Sequence, residues 1–157
     1  MSFVDDVILR PRTDRDLSKI VSWVHDRRAL YLFSGPRLQW PLTEAQLREM
    51  EQVEGLTAWV VARPTGEAIG HFDLTQVDDE ARLGRVIIQP TMRGRGLART
   101  LLRLALSQAR VLGAERVRLN VISDNEPAIS AYTRAGFSVI PHAAERPDVT
   151  VMVKKVS

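Results

Sequence analysis

Residues 93–98 read Arg-Gly-Arg-Gly-Leu-Ala and lie between a β-branched run, RLGRVIIQP at 82–90, and a long segment of helical period. Glycines and unpaired backbone N–H groups at a helix start suit a phosphate. Successive amides converge there, the helix dipole adds partial positive charge, and Gly94 and Gly96 leave the backbone open to close approach. Arg93 and Arg95 add full charges. The segment has neither the GxxxxGK[ST] of a Walker loop nor the GxGxxG of a dinucleotide fold. Glycines also serve tight turns, so the loop by itself leaves a purely structural role open. The candidate titratable groups elsewhere in the chain are Tyr132 and, as possible proton acceptors, Glu80 at a turn and His71 and Asp73 on a β-rich run.

These residues need elements to position them. A short strand is expected over 7–11, and Thr13 to Asp16 has capping-box spacing before Leu17, Ile20, Val21 and Val24 at helical period. The segment YLFSGPRLQWPL, 31–42, carries Gly35, Pro36 and Pro41 and reads as a loop. A second helix begins at Thr43, with Gln46 completing a capping box and Leu42 stapling onto Leu47. The stretch 57–77 is two β-rich runs around Pro64-Thr65-Gly66, an antiparallel hairpin. A turn at 78–80 leads to the strand that ends at Pro90. In the long helix Leu97, Leu101, Ala105, Ala109 and Leu112 share a face, and Gly113 is placed as the C-cap. With the strand VRLNV at 117–121 this makes a parallel strand–helix–strand crossover. A fourth helix runs from about Asn125 to Gly136, and 137–140 and 149–153 close the sheet. The fold class expected is α/β with a mixed antiparallel and parallel sheet flanked by about four helices.

The chain has 157 residues, 45% hydrophobic and 26% charged, the size and composition of one globular domain, here 1–157. It has no cysteine, which removes thiol catalysis and cysteine-ligated zinc; no metal is expected. The amino terminus lacks a basic segment followed by an apolar one, and no apolar run approaches the roughly 18 residues of a membrane span. A cytoplasmic location follows as the expectation, with no membrane partner. The net charge of +3 is carried on the basic side almost wholly by arginine. The arginines are scattered rather than interleaved with aromatics, so no nucleic-acid partner is expected.

Residues Arg93 to Ala98 match the [QR]xxGx[GA] signature of the GNAT acetyltransferase superfamily, between the strand and helix where that signature belongs. Asn125, Ala128, Tyr132, Gly136 and Phe137 reproduce a second pattern, NxxAxxxYxxxGF, in the right order. The chain resembles a GNAT N-acetyltransferase from about residue 7 to 153. The resemblance implies acetyl-coenzyme A as the acetyl donor. It assigns the backbone of Val86, Ile87 and Ile88 to the pantetheine amides and the amides of Arg93, Gly94, Arg95, Gly96, Leu97 and Ala98 to the pyrophosphate. It also implies that the parallel strands 82–88 and 117–121 splay at their carboxyl ends to admit the cofactor.

Transfer to an amine needs a free amine, donors for the developing oxyanion and a proton for the departing thiolate. The resemblance gives the last role to Tyr132, and backbone N–H groups at Ile87 or Ile88 are candidates for the second. Asn125 caps the fourth helix, contacts the cofactor, or does both. Some relatives carry a glutamate early on the strand before the signature and others carry one on the following parallel strand, but here the first of these strands begins Arg82-Leu83-Gly84-Arg85. The next parallel strand offers only Asn120. Glu80, His71 and Asp73 remain as bases, and bulk water is the alternative. The acceptor is expected to be a small-molecule amine or a protein N-terminus, bound near Tyr31, Phe33 and Trp40. Family members often form homodimers. A non-catalytic acyl-coenzyme A binding module is the competing reading.

Overall fold

The computed structural model describes residues 6–156. Seven strands form one sheet: β1 (Ile8–Pro11), β2 (Leu56–Ala62), β3 (Ala68–Val77), β4 (Glu80–Ile88), β5 (Arg116–Ile122), β6 (Ser138–Val139) and β7 (Val149–Lys155), in the order β1-β2-β3-β4-β5-β7-β6. Every neighbouring pair is antiparallel except β4 and β5, which are parallel and joined by a helical crossover. The hairpin at 57–77 turns where its Pro-Thr-Gly signal lies, with the Gly66 N–H donating to Arg63 O at 2.8 Å.

Five helices accompany the sheet: α1 (Asp14–Ser22), α2 (Arg27–Ser34), α3 (Glu44–Met50), α4 (Leu97–Val111) and α5 (Glu126–Arg134). They form two layers, one on each face of the sheet. One core joins α4 to the sheet residues Val61, Ile69, Leu74, Leu83, Val117 and Leu119. The other joins α1, α2 and α3 to Val60, Ala62, Ala68 and Ile87. Val60 and Val61 point to opposite cores, as strand alternation requires. Leu97, Leu101, Ala105 and Ala109 are each at most 1% exposed. Burying a leucine in such a site stabilises the fold by about 1.5–3 kcal/mol, and this face seats the start of α4 against the sheet. Leu112 is the C-cap and is exposed, so the buried stripe ends one turn earlier than its sequence pattern. Gly113 follows at a φ of +93°, where a helix-terminating glycine belongs.

The sequence reading differs from the structure at 31–34. The expected loop is the last turn of α2, whose Asp26 side chain accepts from the Ala29 N–H at 2.8 Å and whose Leu30 and Phe33 are buried. Gly35 at φ +63° then ends the helix. Five helices therefore stand where about four were expected. Thr43 caps α3 by accepting from the Gln46 N–H at 3.2 Å. The Gln46 side chain does not return to the cap backbone; it bonds Gln39 N, Gln39 O and Pro41 O, tying the preceding loop to the helix. Among the described residues no helix is long and apolar enough to cross a membrane.

Candidate functional site

The parallel ladder between β4 and β5 runs from Glu80↔Arg116 to Leu83↔Leu119 and stops. β4 continues to Ile88 against β3, and β5 continues to Ile122 against β7. The two central strands therefore part beyond Leu83. The cause is local. Between Asp73↔Gly84 and His71↔Ile87 the register shifts, so Arg85 and Val86 together oppose Phe72. Arg85 takes a φ of +47°. A bulge of this kind bends its strand and raises its twist, which carries β4 away from β5. Backbone groups of 84–88 that do not face β3 are left beside the gap. The side chains of Val86 and Ile88 pack on the first core and Ile87 lies in the second, so the backbone is what this stretch offers a ligand.

Two β3 side chains hold the bulge. The ring Nδ1 of His71 lies 2.8 Å from the carbonyl oxygen of Arg85. The Arg85 guanidinium grips the Asp73 carboxylate through Nε and, at 2.7 Å, through Nη2. Both β3 residues are at most 1% exposed. On its other side His71 meets Arg12, whose Nη1 lies 3.1 Å from the imidazole Nε2, while Arg12 Nη2 donates to Leu47 O and Glu51. A guanidinium is only a donor, so Nε2 is the acceptor and Nδ1 carries the proton. Burial pushes the His71 imidazolium down to about 4; Asp73 opposes this and Arg12 reinforces it.

These contacts correct the list of possible bases. The lone pair of His71 is taken by Arg12, and the carboxylate of Asp73 by Arg85. Glu80 stands at the opposite end of β4, 3.9 Å from both Arg116 and Arg118. His71 and Asp73 are thus buried in structural contacts, and Glu80 lies away from the gap.

The turn before α4 places Gly94 at φ +76° and Gly96 at φ +79°, a region that favours glycine. A Cβ at either position would meet nothing within 4 Å, so the space over this turn is open. No side chain caps α4. The amides of residues 94–99 donate to no acceptor among the described residues. Six consecutive free N–H groups at the positive end of a 15-residue helix suit an oxyanion. Arg93 and Arg95 are exposed and make no ion pair among the described residues. The Leu97 side chain is buried in the core, so this residue contributes only its amide, and Ala98 is half-buried.

Tyr132 lies on α5, half-buried against the first core, with its ring edge-on to Phe137 at 5.8 Å. Its hydroxyl makes no hydrogen bond among the described residues. Burial raises its pKa to about 12. Asn125 caps α5 through a long bond from the Ala128 N–H, 3.4 Å, leaving its amide nitrogen without a described acceptor.

On the face opposite α4, a groove of about 670 Å³ opens over β4 and β5. Tyr31 and Phe33 border it, and Asn120 lies in its floor. Trp40 is not among its lining residues; it packs on the second core. The groove is roofed by α2, which is tied across it: Tyr31 donates to Asp148, Arg146 lies over the Tyr31 ring at 5.7 Å, and Arg28 pairs with Asp124 at 2.7 Å. Sequence reasoning missed the Arg85 bulge and the Arg12–His71 contact. The Asp26 cap before an apolar i, i+3 pair was the available signal for α2.

A bulge-opened parallel pair beside a glycine-turn helix start offers free backbone amides to an anionic ligand. Residues 20–137 match the acetyltransferase (GNAT) family, and the chain belongs to that family. It is 31% identical over 111 residues to an uncharacterised N-acetyltransferase of Escherichia coli K12, covering 66% of each chain. It is 51% identical over 47 residues to a mycothiol acetyltransferase of Corynebacterium glutamicum, covering 30% of this chain and 16% of that one. The chain thus spans less than two thirds of the length of these curated relatives. Its fold is that of the spermidine N-acetyltransferase from Vibrio cholerae solved with CoA and spermine, with a TM-score of 0.80 at 23% identity over 96% of both chains.

Proposed function

We propose that this chain is an acetyl-coenzyme A-dependent N-acetyltransferase acting on a primary amine. The observation that carries the reading is the run of free amides at 94–99, next to the gap that the β4 bulge opens. Open space above Gly94 and Gly96 fits a pyrophosphate against that run. Acetyl-coenzyme A, when bound, supplies the thioester whose acetyl group goes to the amine. The amides of 94–98 would hold the pyrophosphate; the Arg93 N–H, expected to join them, is instead engaged by Pro90 O at 3.4 Å, so Arg93 adds charge only, as does the Arg95 side chain. The β4 backbone groups of Val86 and Ile88 face the gap and would hydrogen-bond the pantetheine arm and offer an N–H to the developing oxyanion, whereas those of Ile87 face His71 in the β3 ladder. Tyr132, protonated throughout the physiological range, donates its hydroxyl proton toward the departing sulfur. The free amide nitrogen of Asn125 stands ready for the coenzyme while its oxygen caps α5.

With His71, Asp73 and Glu80 all committed, the amine proton leaves to water in the groove. The same commitments favour a second reading, a module that binds acyl-coenzyme A without transferring its acyl group. Calorimetry with coenzyme A and thiol release from acetyl-coenzyme A over a broad amine panel test both. Binding with release supports the enzyme, binding without release from any amine supports the module, and no binding overturns both.

A further inference from the structure

The acceptor groove has a floor of unusual charge. Arg82 on β4 and Arg118 on β5 are direct partners in the parallel ladder. Their strand neighbours Ala81, Leu83, Val117 and Leu119 face the first core, so both arginines face the groove, and both line it. Like charges placed opposite each other in a sheet destabilise it. Only Arg118 is relieved, by Glu80 at 3.9 Å, and Glu80 is shared with Arg116 at the same distance. Arg82 makes no ion pair or hydrogen bond among the described residues. A third guanidinium, Arg37, lines the groove from the turn after α2 and is likewise without a carboxylate partner among them. The two groove carboxylates not engaged in ion pairs, Glu54 and Glu145, are exposed on separate loops and form no cluster.

Resting on the transferase reading above, we infer that the acceptor carries an oxyanion besides its amine, a carboxylate or a phosphate-type group held by Arg82 and Arg118. The guanidinium pair presents forked donors that match either oxyanion. The β4–β5 gap begins two residues beyond Arg82, at Gly84, a separation of about 7 Å along the strand. An amine with an oxyanion at its other end, such as an ω-amino acid, suits guanidiniums set at the start of the gap. Binding such a molecule relieves the Arg82–Arg118 repulsion and points its amine to the gap. A polyamine gains neither effect, because its second ammonium would sit against guanidinium. Cationic walls also favour the neutral form of the bound amine, which is the form that reacts.

The test titrates the coenzyme A-saturated protein calorimetrically with 6-aminohexanoate, 5-aminopentylphosphonate, hexylamine and spermidine. The two anionic amines should bind at least about tenfold more tightly than hexylamine, with spermidine the weakest. The tighter of the two identifies the oxyanion as carboxylate or phosphate-type. Arg82→Gln should remove most of that preference and Arg82→Glu should invert it toward spermidine. Hexylamine or spermidine binding as tightly as the anionic probes, no binding by either anionic probe, or a preference that survives Arg82→Gln overturns the inference. Thiol release from acetyl-coenzyme A with the same four amines separates the two proposals. Anion-selective binding without release from any amine overturns the transferase reading alone. Release faster from spermidine than from 6-aminohexanoate overturns the acceptor inference alone.

Discussion

The Nδ1–H of His71 donates to the carbonyl oxygen of Arg85 at 2.8 Å, so a wholly buried imidazole on β3 fixes the one residue of β4 that has a left-handed backbone. Burial of that ring, with Arg12 against its other nitrogen, ties folding to protonation. The folded His71 titrates at about 4, whereas an unfolded histidine titrates near 6.5. Between these values the unfolded chain binds the extra proton. The contribution of His71 is therefore complete above about pH 6.5 and is lost as pH falls toward 4, up to about 3 kcal/mol in all. Urea midpoints at pH 7 and pH 5 should differ clearly in the wild type and much less in His71→Gln. The same pH dependence in both proteins would sink this assignment.

Asp73 and Arg85 hold the same bulge from the side-chain end, and both lie nearly out of solvent. Asp73→Ala leaves a guanidinium without its partner in a buried setting and should cost about 3–5 kcal/mol. Arg85→Gly removes both the orphaned charge and the cost of a left-handed non-glycine residue, of order 1 kcal/mol or more. The double variant should therefore be more stable than Asp73→Ala alone, as read from denaturant midpoints. If it is less stable, the pair does not act as a unit.

Much of this arrangement was legible in the chain because its signals are local. Gly94 and Gly96 announce the turn, the Leu97–Leu101–Ala105–Ala109 stripe announces the helix behind it, and Pro64-Thr65-Gly66 announces the hairpin. Other features have no local signal. Arg85 carries the bulge although nothing in its residue type asks for a left-handed backbone; two side chains from another strand impose it. His71 reads as a candidate base until Arg12, 59 positions away, is found on its lone pair. The Arg82–Arg118 pairing depends on strand register, which sequence period alone does not fix. At 31–34 glycine and prolines downstream outweighed a helix whose cap, Asp26, lay outside the window.

Gly96 separates conformation from ligand space. Any L-residue at its φ of +79° is strained, but asparagine tolerates that region better than most. Gly96→Asn is therefore the control for Gly96→Glu, which adds bulk and negative charge in the open space facing the free amides. Coenzyme A affinity should fall by about 100-fold or more in Gly96→Glu, equivalent to roughly 2.7 kcal/mol. It should fall less than about tenfold in Gly96→Asn. Equal losses in the two would assign the effect to backbone strain, and unchanged affinity in Gly96→Glu would remove the pyrophosphate from this turn.

Tyr132 offers the sharpest division between binding and chemistry. Its hydroxyl has no described partner to lose, so Tyr132→Phe leaves no orphaned group and should fold with unchanged stability. The ring keeps its edge contact with Phe137. If the hydroxyl serves the departing sulfur, kcat should fall about 10²-fold or more, while coenzyme A affinity changes little, because the amides of 94–99 and the β4 backbone are untouched. Burial holds the phenol protonated to about 12, so its deprotonation gives no falling limb in the wild-type rate at pH 7–10. A wild-type rate that declined in that window and lost the decline in Tyr132→Phe would show a phenol ionising far below that value. Equal kcat in the two proteins would remove Tyr132 from the reaction and leave it as a packing residue of α5.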